Sequence, residues 1–292
     1  MFTGSIQNHA QLALQFYHEE LSKLLSDSSD LISYVGTIGQ LSPNVLKDVI
    51  EGNKNPNSNK LTVLIYSGGG LVEAAEKMVG IMRHHYDCVD FIIPEMAMSA
   101  ATIMFMSGDE IHMDYSSSLG PIDPQVQNKE GHFVPALGYL DKVEEIIEKS
   151  KNNQCSSAEL MLLSQQDLGT LRRYEQARDL SVNLLKKWLV QYKFKNWLTH
   201  SSTGANVTLQ EKEQRAEEIA NKFCDHNYWH SHSRYISMRE LQDSNIRLLI
   251  NDFGQDPAFS KAIHQYHDLL LDYSQVIGKS FYIHCKSHLQ GM

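Results

Sequence analysis

The chain has 292 residues, 42% hydrophobic and 21% charged, the profile of an ordinary globular protein. Its 26 Lys and Arg against 35 Asp and Glu give a formal charge of −9 with no basic run, which speaks against a nucleic-acid surface. Cys88, Cys155, Cys224 and Cys285 lie far apart without a CxxC pair and read as free thiols; with no leader-like pattern in MFTGSIQNHAQ, a cytoplasmic protein is expected.

In chain order, residues 7–27 place Leu12, Leu14, Phe16, Tyr17, Leu21, Leu24 and Leu25 at helical spacing, predicting an amphipathic N-terminal helix. LISYVG (31–36) predicts a short strand. In LSPNVLKDVIEGN, Ser42 is the candidate N-cap, Pro43 the first helical residue and Gly52 the stop. After the polar turn NKNPNSNK, LTVLIY (61–66) is a continuous apolar run, as in a strand buried on both faces of a parallel sheet. SGGG (67–70) leads into a helix over 71–86. VDFII (89–93), a short helix over 99–107 and EIHMD (110–114) continue the alternation.

The stretch FIIPEMAMSAATIMFMSG (91–108) is about long enough to span a bilayer, but Pro94, Glu95 and several polar residues interrupt it. It reads instead as a buried strand that breaks to present Ser99, and no membrane span is expected. Beyond SSSLGPIDPQ, residues 140–200 are mostly helical, 201–206 form a linker, and EKEQRAEEIANKF is another helix. Residues 224–292 read as a strand-poor return with one long helix at 257–275. The β-α-β-α-β alternation predicts an α/β layered fold. Its expected parts are an N-terminal helical arm (1–30), an α/β core (31–150) and a helical elaboration with a C-terminal return (151–292).

Three pieces fall at the C-terminal ends of consecutive strands, where α/β sheets place their sites. They are Gly68-Gly69-Gly70, Ala97-Met98-Ser99-Ala100-Ala101 and Ser116-Ser117-Ser118-Leu119-Gly120-Pro121. A serine between small residues at a strand-to-helix turn suits a nucleophile, because the backbone kinks sharply and small neighbours admit a substrate carbonyl. The residue after it opens a helix with an unpaired amide, and a second amide from the glycine loop could complete an oxyanion hole. Taken alone, the glycines also fit a phosphate site, although GxGxxG and GxxxxGK[ST] spacings are absent, and Ser99 also fits an N-cap.

YSGGGLVEAAEKM, MAMSAATIMFMSGDEIHM and SSLGPIDPQ together resemble the Clp-peptidase/crotonase-like superfamily of serine hydrolases. Within it the chain looks most like the serine dehydrogenase proteinase family, related to signal-peptide peptidase A and the stomatin-cleaving peptidases. The resemblance covers roughly residues 30–150. It implies a layered β-α-β spiral core with added helices and an intracellular serine peptidase with Ser99 as nucleophile. It further implies oxyanion donors at Gly70 and Ala100 with Gly69 permitting close approach, a substrate edge at Gly68, Met98, Ser118, Leu119 and Gly120, and assembly into homo-oligomers. No cofactor or metal is expected, and the partners are a peptide or protein substrate and a regulatory protein.

The histidine of a Clp-type Ser-His-Asp triad would fall near Asp123 and Pro124, where none stands. His112 is mid-strand and reads as structural. The serine–lysine dyad of the stomatin-cleaving relatives leaves Lys129 and Lys142; Lys142 matches better in spacing, and a place in the first turn of a helix would disfavour its charged form. Its acidic neighbours Asp141, Glu144 and Glu145 fit the commoner exposed helical face, and a base from elsewhere in the chain, or none, stays open. Asp123 is expected to shape a turn. Two other functions stay open: an inactive hydrolase-fold scaffold or binding module, and a crotonase-type acyl-thioester enzyme. His226, His230 and His232, and His284, Cys285 and His288, have ligand-like spacing but no second close motif to pair with.

Overall fold

The computed structural model describes residues 4–25, 29–122, 125–127, 133–200, 202–243, 245–286 and 289–291. Helix α1 (Gly4–Leu24) leads into strand β1 (Asp30–Gly36), followed by α2 (Ser42–Asn53), β2 (Lys60–Tyr66), α3 (Val72–His85) and β3 (Cys88–Ile92). The apolar stretch then divides into a two-residue strand, β4 (Met96–Ala97), and a short helix, α4 (Ala100–Phe105), before β5 (Ile111–Met113) and β6 (Ser118–Leu119). Strands β7 (Gln125–Gln127) and β8 (Phe133–Pro135) pair antiparallel and precede α5 (Ala136–Lys151), α6 (Ser157–Ser164) and α7 (Leu168–Trp188). A π-helical turn at Leu189–Lys193 ends α7. Then come α8 (Leu209–Cys224), α9 (His226–Trp229), β9 (Ile236–Ser237), α10 (Met238–Gln242), β10 (Asn251–Asp252), α11 (Pro257–Ile277), β11 (Phe281–His284) and β12 (Leu289–Gly291).

The main sheet runs β10-β5-β3-β2-β1-β11-β12. Its five strands from β10 to β1 are parallel, and β11 adds antiparallel to β1. The period-2 alternation of β1 sorts the two faces. Ile32 and Tyr34 join the larger core with α2, α3, α4, α7 and α8, whereas Leu31 and Val35 join a second core with α1 and α11. The result is a helix–sheet–helix sandwich, which explains why residues 61–65 of β2 are mostly apolar: they are buried on both faces.

Three details depart from the expectations above. Ser42 is the first residue of α2 and not its cap; its hydroxyl accepts Gly39 N at 2.9 Å and lies 2.8 Å from Tyr34 Oη. The return after residue 224 supplies four short strands, two of which, β10 and β11, pair directly with the core strands β5 and β1. Such short strands, with bonding groups satisfied by strands distant in sequence, leave little periodic signal. Helix α5 starts at Ala136, so Lys142 lies in its second turn, beyond the reach of the dipole's positive end. Among the described residues no helix is long and apolar enough to cross a membrane.

A charged nest closes the sheet at the start of β2, β3 and β5. Asp90, 2% exposed, pairs with Lys60 at 2.8 Å, and Asp109 pairs with Arg83 at 2.7 Å and with Lys195. Asp109 Oδ2 also accepts Val89 N at 2.8 Å. Burial pushes the Cys88 thiol up to about 12, aided by Asp90, and draws Lys193 down to about 8. The nest rivets the π turn after α7 to the sheet edge opposite the end that carries Ser99.

Candidate active site

Beyond Tyr66 the chain stays beside β4: Ser67 N donates to Met96 O at 3.1 Å and Met98 N donates to Ser67 O at 2.9 Å. The Ser67 hydroxyl accepts Gly69 N at 3.0 Å and so caps the glycine turn. Gly69 and Gly70 hold φ of +97° and +146°, a region that L side chains rarely adopt. A Cβ at Gly69 would lie 2.7 Å from Met98 O and 2.9 Å from Ser99 Cβ; at Gly70 it would lie 2.1 Å from Ile38 O. Both positions need glycine for contact as well as for conformation.

Ile38 forms a parallel bridge with Gly70. Ile38 N donates to Gly69 O at 2.8 Å and Leu71 N to Ile38 O at 2.9 Å, so the bridge uses the residues flanking Gly70. The Gly70 amide is turned away from that ladder and has no described partner. Ser99 adopts φ 52°, ψ −117°, a sparsely populated conformation for a non-glycine residue, and Ala100 begins α4. As the first residue of a helix, Ala100 has an amide with no intrahelical acceptor, and no described residue engages it. The Ser99 hydroxyl is half-buried and makes no hydrogen bond to a described residue. The structure therefore brings Ser99, Gly69, Gly70 and Ala100 into one corner where β2 and β4 end.

Thr102, which no sequence motif marks, ties this corner to Gly120 just after β6. Its hydroxyl donates to Ala97 O at 2.7 Å, lies 3.0 Å from Gly120 O and accepts Gly120 N at 3.1 Å. Strand β6 pairs parallel with β4 and antiparallel with β9, holding Ser118, Leu119 and Gly120 beside the elbow. Gly120 packs on Met98, whose Cε would lie 2.7 Å from an added Cβ. Gly68 is open to solvent, whereas Met98, Ser118, Leu119 and Gly120 are buried under the elbow. Asp114, 1% exposed, anchors the same loop. Although burial opposes it, hydrogen bonds from Ser116 and His264 hold its carboxyl below the usual carboxylate range.

Lys142 stands on α5 with its side chain 57% exposed, and its ammonium donates to Glu145 Oε2 at 2.8 Å. It is not among the partners of Ser99. Asp123 and Lys129 lie outside the described residues. His112, half-buried on β5, sits 3.6 Å from Glu110, and burial lowers its pKa. Among the described residues two groups offer metal-like ligand sets, Cys88, Asp90 and Asp109, and Asp90, Glu110 and His112. Lys60, Arg83 and Lys195 already supply countercharge to their aspartates. Neither group contains His230, His232 or His284; the His226 side chain and His288 lie outside what the structure describes.

The chain is similar to several known proteins and matches one family. Two uncharacterized proteins of Methanocaldococcus jannaschii are 35% identical over 90 residues and 34% identical over 71. These matches take in 31% and 24% of this chain and 30% and 24% of the relatives, so the chain spans less than a third of the length of the curated relatives it matches. Among solved structures, a serine-to-alanine mutant of the 1510-N membrane-bound stomatin-specific protease superposes with a TM-score of 0.43 at 11% identity, over 75% of this chain and 76% of that one. A lysine-to-alanine mutant of the same protease with a substrate peptide gives 0.42 at 13%, over 78% and 76%. ClpP1 from Listeria monocytogenes gives 0.37 at 13%, over 76% and 89%. Residues 40–208, more than half of the chain, match one family and include the glycine loop, the elbow and Lys142: the chain belongs to the ClpP-like SDH-type serine proteinases.

Proposed function

We propose that this protein is an intracellular serine peptidase in which Ser99 attacks the scissile carbonyl and the amides of Gly70 and Ala100 hold the tetrahedral oxyanion. The observation that carries the reading is the juxtaposition, where β2 and β4 end side by side, of a strained serine and two amides that none of the described residues engages. The substrate lies as an extended strand along the glycine loop, with Gly68 as its open edge and Met98, Ser118, Leu119 and Gly120 shaping the floor.

Lys142 is the general base of this reading. To take the Ser99 proton it must leave Glu145 and approach across α5, and an exposed pair three residues apart is a weak restraint. Lys142 then returns the proton to the leaving amine, and a water repeats the attack on the acyl-enzyme. The family of serine peptidases supports this reading over an inactive scaffold and over an acyl-thioester enzyme. Assembly into a homo-oligomer belongs to the same proposal. Helix α6 has no buried residue, and Leu160, Met161 and Leu162 on it and Leu12 and Phe16 on α1 face solvent.

The test is active-site labelling with a fluorophosphonate, combined with hydrolysis of a casein substrate. Ser99→Ala is expected to abolish labelling and to lower hydrolysis about a thousandfold or more. Equal labelling of Ser99→Ala and the parent protein would refute the nucleophile.

A further inference from the structure

A cavity of about 320 Å³ opens where β3 gives way to β4, lined by Glu95, Tyr115, Ser116, Ser118, Tyr235 and Ser237 among others. Its size is at the lower end of small-ligand sites and suits one long side chain. Glu95 is pinned through its backbone, since its carbonyl accepts Ser118 N at 2.7 Å and Ser118 Oγ at 3.1 Å. Its carboxylate is half exposed, and its partner among the described side chains is His267 Nε2 at 3.2 Å.

His267, 3% exposed on α11, fixes that carboxylate without cancelling its charge. Burial lowers the pKa of His267 despite the attraction of Glu95, so the ring is neutral near pH 7. Donation from Nε2 assigns the tautomer, leaving Nδ1 a bare lone pair; Nδ1 is indeed buried without a partner, which an N–H would tolerate poorly. The nearby acid Asp114 is spent on Ser116, Ser117 and His264. No lysine or arginine lines the cavity, and the adjacent Arg234 is held by Glu240 at 3.2 Å. Tyr115 and Tyr235 are exposed and line the cavity, aromatic rings of the kind that attract a cation.

We propose that this cleft is a substrate subsite for a basic side chain, with Glu95 as the countercharge and the two tyrosines as its rim. The inference rests on the peptidase reading and adds a substrate class, peptides carrying lysine or arginine. Glu95 precedes Ser99 by four residues, a span of at most about 13 Å in extended chain. The basic residue therefore sits within about four residues of the scissile bond.

The test uses a set of short fluorescent peptides in which one arginine is stepped through a neutral sequence, each with a citrulline twin. Binding is read by anisotropy in the Ser99→Ala background, so that it does not depend on turnover. At one position or more, arginine is expected to bind about tenfold tighter than citrulline. Glu95→Gln should bring that ratio to about one, and Glu95→Lys should transfer preference to the same peptides carrying glutamate, a gain that misfolding cannot produce. An arginine-to-citrulline ratio equal in Glu95 and Glu95→Gln proteins, or no discrimination at any position, overturns the subsite. Hydrolysis and fluorophosphonate labelling of the Ser99 protein are scored separately. Charge-selective binding without either leaves the subsite standing and removes the peptidase; hydrolysis without charge selection does the reverse.

Discussion

Ser99 holds φ 52° against the preference of every L residue, a conformation that costs on the order of 1–3 kcal/mol. The packing around it is local: Gly69 leaves no room for a side chain beside the Ser99 Cβ, Met98 packs on Gly120, and Thr102 bonds Ala97 and Gly120. Gly69→Ala is therefore expected to lose activity and to destabilise the fold, since its φ of +97° is strained for alanine and Met98 O would lie 2.7 Å from the new methyl. Serine-probe labelling and thermal unfolding report the two effects. Thr102→Val keeps the shape and strands buried partners at Gly120 N and Ala97 O, for a loss of roughly 2–4 kcal/mol. A midpoint in urea unchanged from the parent would show that the clamp carries no load. Ser99 and the glycines were legible in the sequence because their chemistry is written in residue type. The Thr102 clamp and the Glu95–His267 pair were not, because ordinary residues acquire such contacts only from what folding sets beside them.

At the scale of elements, the nest at the start of β2, β3 and β5 joins helix, π turn and sheet. Asp109, 6% exposed, answers Arg83, Lys195 and the Val89 amide at once. Asp109→Asn leaves two cations without their partner and is expected to destabilise by about 3–5 kcal/mol, measured by chemical denaturation. Burial opposes ionisation of Asp109, but Lys195, Val89 N and Arg83 together hold its pKa below the ordinary value. Its contribution is thus complete above about pH 4 and fades as pH falls through the lower folded value. Asp109→Asn should flatten that acid limb. Strands β1, β2, β3 and β5 were legible in the sequence, β2 and β3 from their apolar runs, whereas the two- and three-residue strands β4, β6, β7 and β8 were not. The strands of the C-terminal return were missed because two- to four-residue segments acquire register only from β5, β6 and β1.

For the whole molecule, α1, α11 and β11 enclose a set of neutral histidines on one face of the sheet. His284, 3% exposed, lies 2.5 Å from Tyr266 Oη, and burial together with His18 pulls its pKa down to about 3. In the unfolded chain it titrates near 6.5, so between those values the unfolded state binds the extra proton and stability rises with pH. The parent is expected to lose about 1.4 kcal/mol per pH unit from this residue below pH 6. A His284→Gln protein with the same slope of unfolding free energy between pH 6 and 4 would exclude that origin. The exposed apolar side chains of α1 and α6 lead to a second expectation at this scale. Met161→Glu combined with Phe16→Glu should shift the protein toward monomer in sedimentation velocity if either face joins copies of the chain.

Residue chemistry by itself determined the alternation of strands and helices, the glycine turn and the serine at the break, because backbone freedom, apolar runs and small residues are properties of adjacent positions. Only the tertiary structure decided which strands complete the sheet, that Thr102 binds elbow to loop, and that Glu95 meets a buried imidazole 172 residues further along. Those are contacts between distant segments, and their energies exist only after the sheet has brought the segments together.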